Sequence, residues 1–89
     1  IPFDNEEDAI QIANESDYGL SATIWTEDKE RATRVSNQVE AGVIWVNCWL
    51  VRDLRTPFGG MKQSGMGREG GSEALRFFTE QKNVCTSIT

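Results

Sequence analysis

Apolar positions recur at helical spacing in three stretches of the chain, and shorter β-prone runs lie between them. Ala9, Ile10 and Ala13 mark one face of a helix predicted over 5–14. Asp4, followed three residues later by Glu7, predicts its capping box. Tyr18-Gly19-Leu20 breaks that pattern, and Ser21 to Trp25 is rich in β-formers, predicting a short strand. Thr26 is placed to cap a second helix over 27–40, with Ala32, Val35 and Val39 on one face. Gly42 follows where a left-handed C-cap is expected. Val43-Ile44-Trp45-Val46 is a continuous apolar run of strand length, the pattern of a strand buried on both faces. Asn47 to Thr56 reads as a polar and aromatic loop at the C-terminal end of that strand. A third helix is predicted over 69–78, irregular at Gly70-Gly71, with Ala74, Leu75 and Phe78 facing inward. Asn83 to Ile88 reads as a last strand. Alternation of this kind predicts an α/β layer with a mostly parallel sheet.

The segment from Pro57 to Gly71 interrupts the periodicity with six of the chain's eight glycines. Its Phe58, Met61, Arg68 and Glu69 separate it from a flexible linker and predict a tightly folded loop. The 89 residues are 38% apolar and 26% charged, an ordinary globular composition. A chain this short buries a modest core. It has no initiator Met, and Ile1-Pro2-Phe3 reads as the exit of a strand, so the expectation is a segment of a larger chain rather than a free-standing domain.

The net charge of −5 is spread along the chain, and Lys and Arg are scattered, which argues against a nucleic-acid surface. No apolar run approaches the roughly 20 residues of a membrane helix. Cys48 and Cys85 fit no metal-ligand spacing and read as buried thiols of a cytoplasmic protein. Asn14-Glu15-Ser16 matches a glycosylation sequon, given no weight without a secretory signal.

Gly65-Met66-Gly67-Arg68-Glu69-Gly70 has the spacing of a dinucleotide fingerprint but lacks the preceding apolar strand and the later acidic residue. Lys62 is in no Gly-Lys-Ser/Thr order, so it belongs to no P-loop. The chain has no His, and so no His-based triad. Cys48, just after an apolar strand, reads either as a structural thiol or as a nucleophile. Trp49-Leu50-Val51-Arg52-Asp53-Leu54-Arg55 carries the strongest chemistry. Arg52 or Arg55 can grip a carboxylate through two parallel N–H bonds, or can pair with Asp53 or another surface carboxylate.

Read in order, Pro2-Phe3-Asp4, Ala13-Asn14, Tyr18-Gly19-Leu20, Trp25-Thr26, Gly42-Val43 and Trp45-Val46-Asn47 resemble aldehyde dehydrogenases. So do Pro57-Phe58-Gly59-Gly60, Lys62, Ser64-Gly65, Gly67-Arg68-Glu69 and Thr79-Glu80. The resemblance covers essentially the whole chain and implies the C-terminal part of that family's α/β catalytic domain over 1–82, followed by an oligomerisation strand over 83–89. It also implies a reaction: a Cys thiolate attacks an aldehyde, hydride passes to NAD, and water hydrolyses the resulting thioester. The nucleophile, the general base and the cofactor fold are then expected upstream of residue 1, leaving no catalytic residue and no cofactor ligand in this segment.

The resemblance further implies that Trp49, Leu50 and Arg52 line a substrate tunnel, that Phe58 lies close to the reacting aldehyde, and that Arg68 and Glu80 form an interface pair. The loop from Asn47 to Arg55 is similar to that of the 2-aminomuconic and 2-hydroxymuconic semialdehyde dehydrogenases, whose substrates carry a carboxylate remote from the aldehyde. It favours Arg52 as the carboxylate anchor, with Arg55 supporting the loop. The expectation is thus an NAD-dependent dehydrogenase of a carboxylated semialdehyde, 2-aminomuconate 6-semialdehyde foremost, in a cytoplasmic homodimer or homotetramer. The rivals are another aldehyde as substrate and a non-catalytic oligomerisation or binding module.

Overall fold

The computed structural model describes residues 1–88. Its elements run α1 (Glu6–Asn14), β1 (Tyr18–Gly19), β2 (Ser21–Ile24), α2 (Lys29–Gln38), β3 (Val43–Val46), β4 (Met61–Lys62) and α3 (Gly71–Phe78). Both longer helices start one or two residues later than the sequence suggests. In α1 the cap is Asn5, not Asp4: its side chain accepts from the Asp8 N–H, while the Asp8 carboxylate accepts from the Asp4 N–H. In α2 the cap is Asp28, whose Oδ1 accepts from the N–H groups of Glu30 and Arg31. Thr26 instead accepts from the Asp28 N–H. A carboxylate or amide that reaches two or three residues ahead outcompetes its neighbour for the free N–H groups of the first turn.

Strands β2 and β3 pair in parallel, Ser21 with Val43 through Ile24 with Val46, and α2 forms the crossover between them. Helix α2 packs against both α1 and β2. The second sheet was not legible in the sequence. It is the antiparallel pairing of β1 with β4, Tyr18 opposite Lys62 and Gly19 opposite Met61. Each of its strands has two residues, too few to show a period. The mostly parallel sheet is therefore one parallel pair beside one antiparallel pair.

Gly42 does not adopt the left-handed C-cap conformation expected of it; the positive-φ glycines are Gly65, Gly67, Gly70 and Gly71. Its lack of a side chain serves close approach instead, because a Cβ there would lie 1.6 Å from the Gly59 carbonyl oxygen. The Gly42 N–H donates to the Gly19 carbonyl at 3.0 Å, which joins the start of β3 to the end of β1.

Among the described residues the buried apolar side chains are Ala41 and Trp45. Leu75 and Phe78, expected to face inward, are 67% and 77% exposed. Helix α3 does carry an apolar face, but no element among the described residues covers it. Residues 83–88 form no strand, contrary to expectation, and Thr89 lies outside the described residues. A strand is defined by ladder pairing with a neighbouring strand, and among the described residues none of the four strands pairs with 83–88. Cys85 is likewise exposed rather than packed, whereas Cys48 is half-buried.

Candidate substrate-anchoring site

The loop after β3 is shaped by two non-glycine residues in the left-handed region, Asn47 at φ 54° and Leu50 at φ 58°. Asn tolerates this conformation because its side chain can bond locally. Here the Asn47 amide is bound to both backbone groups of Thr26, and the Asn47 N–H donates to the Ile24 carbonyl at 2.8 Å. Further on, the indole N–H of buried Trp45 donates to the Val51 carbonyl at 2.9 Å, drawing the loop back over the end of β3.

That return brings Arg52 over the ring of Phe58, its guanidinium carbon 4.3 Å from the ring centroid. A cation over an aromatic face is attracted by the ring quadrupole. Phe58 is in turn fixed to Glu69 by a two-way backbone bridge: the Phe58 N–H donates to the Glu69 carbonyl at 2.8 Å, and the Glu69 N–H to the Phe58 carbonyl at 2.7 Å. Arg52 Nη2 donates to Glu69 Oε1 at 3.3 Å. The loop is clamped onto the start of α3 as well. Gly70 has φ 79°, and a Cβ there would lie 2.7 Å from the Thr56 carbonyl oxygen, so only glycine fits.

Between these segments lies a cleft of about 220 Å³. Val43, Trp45, Val51 and Phe58 give it apolar and aromatic walls, and its charged groups are Arg52, Asp53 and Glu69, of which Asp53 is held by Arg55. The Arg52 side chain is 51% exposed and makes this one long bond to a carboxylate, which leaves most of its five N–H donors able to face a ligand. Arg55 is differently placed. Its guanidinium holds both oxygens of Asp53, at 2.9 Å and 2.6 Å. Those hydrogen bonds, with one from the Arg55 backbone N–H, keep the Asp53 carboxyl below its ordinary range, and Asp53 in turn raises Arg55. Arg55 is engaged within its own loop, which fits its expected supporting role.

The structure thus unites Arg52 with Phe58 but does not bring the other sequence-derived residues to them. Trp49 and Leu50 do not line this cleft; the left-handed turn at Leu50 leaves them 68% and 55% exposed. Arg68 and Glu80 form no ion pair among the described residues. Arg68 Nη1 instead donates to the carbonyls of Gly60 at 2.9 Å and Gly67 at 2.7 Å, binding the glycine loop to itself. Glu80 lies beyond the end of α3. Sequence reasoning missed Glu69 as the partner of Arg52. The available signal was the need of an Arg in this setting for an anion, which does not single out Glu69; the structure shows Asp53 held by Arg55.

No cluster of His, Cys, Asp or Glu among the described residues is arranged to hold a metal ion. The 65–70 glycines do not form a Rossmann-type turn. The strand before the 65–70 glycines is the two-residue antiparallel β4, and the N-cap of α3, Gly70, makes no side-chain capping bond. A pyrophosphate site of the Rossmann type needs a parallel strand leading straight into the helix N-terminus.

The aldehyde dehydrogenase family pattern matches residues 1–84. A 2-hydroxymuconic semialdehyde dehydrogenase of Pseudomonas sp. (strain CF600) is 61% identical over 87 residues, covering 98% of this chain and 18% of the relative. A 2-aminomuconic semialdehyde dehydrogenase of Danio rerio is 59% identical over 83 residues, covering 93% and 17%. Among solved structures, the NAD+ complex of an aldehyde dehydrogenase from Bacillus cereus superimposes with a TM-score of 0.87 at 45% identity, over 100% of this chain and 18% of that one. An aldehyde dehydrogenase of Mycobacterium tuberculosis complexed with NAD+ gives 0.84 at 49% identity, over 92% and 17%. The chain therefore spans less than a fifth of the length of these relatives.

Proposed function

The chain belongs to the aldehyde dehydrogenase family, and from that premise we propose that it is the C-terminal segment of an NAD-dependent enzyme that oxidises a carboxylated semialdehyde to the acid, with Arg52 anchoring the carboxylate. The observation that carries this reading is the placement of Arg52. It is stacked on Phe58, positioned by the Trp45 and Asn47 hydrogen bonds, and left with free donors at a cleft with apolar and aromatic walls. A planar guanidinium held in this way suits bidentate recognition of a carboxylate.

The substrate is 2-aminomuconate or 2-hydroxymuconate 6-semialdehyde, and the anchor reads the carboxylate that both share. Relatives named for each stand at similar identity, 61% and 59%. Phe58 forms the aromatic wall toward the reacting end. Catalysis proceeds through a Cys thiohemiacetal whose thiol comes from outside this chain, because neither half-buried Cys48 nor exposed Cys85 lines the cleft. NAD is the cofactor, a choice supported by the NAD+ complexes of the two structural relatives. Its binding falls mainly to other parts of the enzyme.

The enzyme is cytoplasmic and works as a homodimer or homotetramer. Two free cysteines suit a reducing compartment. The uncovered Phe77 and Phe78 of α3, each 77% exposed, suit burial against the rest of the protein or a neighbouring subunit.

The test is NAD reduction by the full-length protein, wild type against Arg52→Ala, on a six-carbon semialdehyde carboxylate and on the uncharged aldehyde of equal length. Loss of one partner of a desolvated charge pair costs on the order of 2–5 kcal/mol. The expected result is a fall of roughly a hundredfold in kcat/KM confined to the carboxylated substrate. Equal small losses on both substrates would reduce Arg52 to a structural loop residue.

A further inference from the structure

We infer that Glu69 is a built-in competitor for the Arg52 guanidinium and so sets how selectively the cleft takes a carboxylated substrate. This rests on the reading of Arg52 as the anchor and adds a second specificity residue to it. Glu69 is not a stray surface carboxylate near an arginine. Its backbone is locked to that of Phe58 by hydrogen bonds of 2.8 Å and 2.7 Å, and Phe58 carries the ring on which Arg52 lies. All three residues line the same cleft, although Arg52 and Glu69 are 17 positions apart. The carboxylate is thereby held at the anchor by the fold itself.

The contact has the character of an occupant that can be displaced. It is one bond of 3.3 Å to one oxygen, where a strong Arg–carboxylate pair is shorter and bidentate. The side chains are 51% and 70% exposed, in the regime where an ion pair adds little stability. In the free enzyme Glu69 neutralises Arg52 and keeps it over Phe58. An arriving carboxylate takes the guanidinium through two bonds, and Glu69 yields to water. A neutral aldehyde offers nothing to exchange, and a weakly placed anion cannot displace the resident one. The repulsion between Glu69 and the incoming carboxylate raises the threshold for binding. Glu69 thus limits the preference that Arg52 gives a carboxylated over a neutral substrate, a repulsive element set against the attractive one.

The experiment compares Glu69→Gln, Glu69→Asp and Arg52→Ala with wild type in the full-length enzyme. Each is assayed on the six-carbon semialdehyde carboxylate and the uncharged aldehyde, with KM and kcat determined separately. Glutamine keeps an acceptor for Arg52 but removes the competing charge. The expected result is a roughly three- to tenfold fall in KM for the carboxylated substrate relative to the neutral one, the size of one like-charge interaction in a partly wet site. Glu69→Asp should restore part of the wild-type ratio. A KM ratio that is unchanged or raised in Glu69→Gln, while Arg52→Ala still shows its carboxylate-selective loss, overturns the role of Glu69 and leaves the anchor standing. Absence of a carboxylate-selective loss in Arg52→Ala overturns both.

Discussion

Asn47 holds Thr26 by both ends of its side-chain amide, Oδ1 accepting from the Thr26 N–H and Nδ2 donating to the Thr26 carbonyl, each at 2.8 Å. The side chain acts as one more residue of parallel pairing, just past the last rung of β2 and β3. It also fixes where the Arg52 loop begins. Asn47→Ala removes both bonds and places alanine at φ 54°, which costs a non-glycine residue on the order of 1–2 kcal/mol where no side-chain bond compensates. Because the bonds are exposed, water replaces part of their contribution, and the expected total is about 1–3 kcal/mol. Urea unfolding should show this as a lower midpoint, and KM for a carboxylated substrate should rise as the loop loosens. An unchanged midpoint would mean that water substitutes fully for the amide.

The meeting of β1, β3 and the glycine loop leaves no room for a methyl group. A Cβ on Gly42 would lie 1.6 Å from the Gly59 carbonyl oxygen and 2.7 Å from its carbon, both backbone atoms that cannot swing aside. Gly42→Ala should therefore cost at least about 3 kcal/mol and reduce soluble yield sharply. Gly67→Ala is the control. Its φ of 76° is strained for alanine, but nothing lies within 4 Å of its Cβ, so a loss of about 1–2 kcal/mol is expected. Equal thermal shifts for the two variants would contradict a steric role for Gly42.

How far the sequence reached can be read from the same places. The three helices were legible because each spans enough residues to show a period, and β2 and β3 because four residues suffice to show a β-rich or continuous apolar run. Helix starts slipped by one or two positions because Asp4 stands beside Asn5 and Thr26 near Asp28, and side-chain reach decides between such neighbours. Strands β1 and β4 were invisible at two residues each. The inward face assigned to Leu75 and Phe78 failed for another reason: periodicity identifies an apolar face but not whether anything lies against it. Arg52 and Phe58 were legible from chemistry and resemblance. Glu69 was not, because the Phe58 bridge that delivers it is a tertiary contact.

Glu6 gives the chain a defined acid sensitivity. Its carboxylate ties α1 to α2, accepting from Arg34 Nε at 2.6 Å and Nη2 at 2.8 Å, and from Arg31 Nε at 3.2 Å. The Arg34 hydrogen bonds are the main reason that its pKa falls from 4.5 to about 2; desolvation opposes the fall, and the charges of both arginines and the Arg31 bond assist it. A carboxyl with a lower pKa when folded binds fewer protons in the native state than in the unfolded one across the interval between the two values. Its contribution is therefore complete above pH 4.5 and disappears as the pH falls toward about 2. The expected outcome is that wild type has a higher urea midpoint than Glu6→Gln at neutral pH, and that the difference shrinks to nothing across that acid window. Other carboxylates titrate in both proteins and cancel in the comparison. A difference that stays constant down to about pH 2 would show that Glu6 stabilises by packing rather than by its charge.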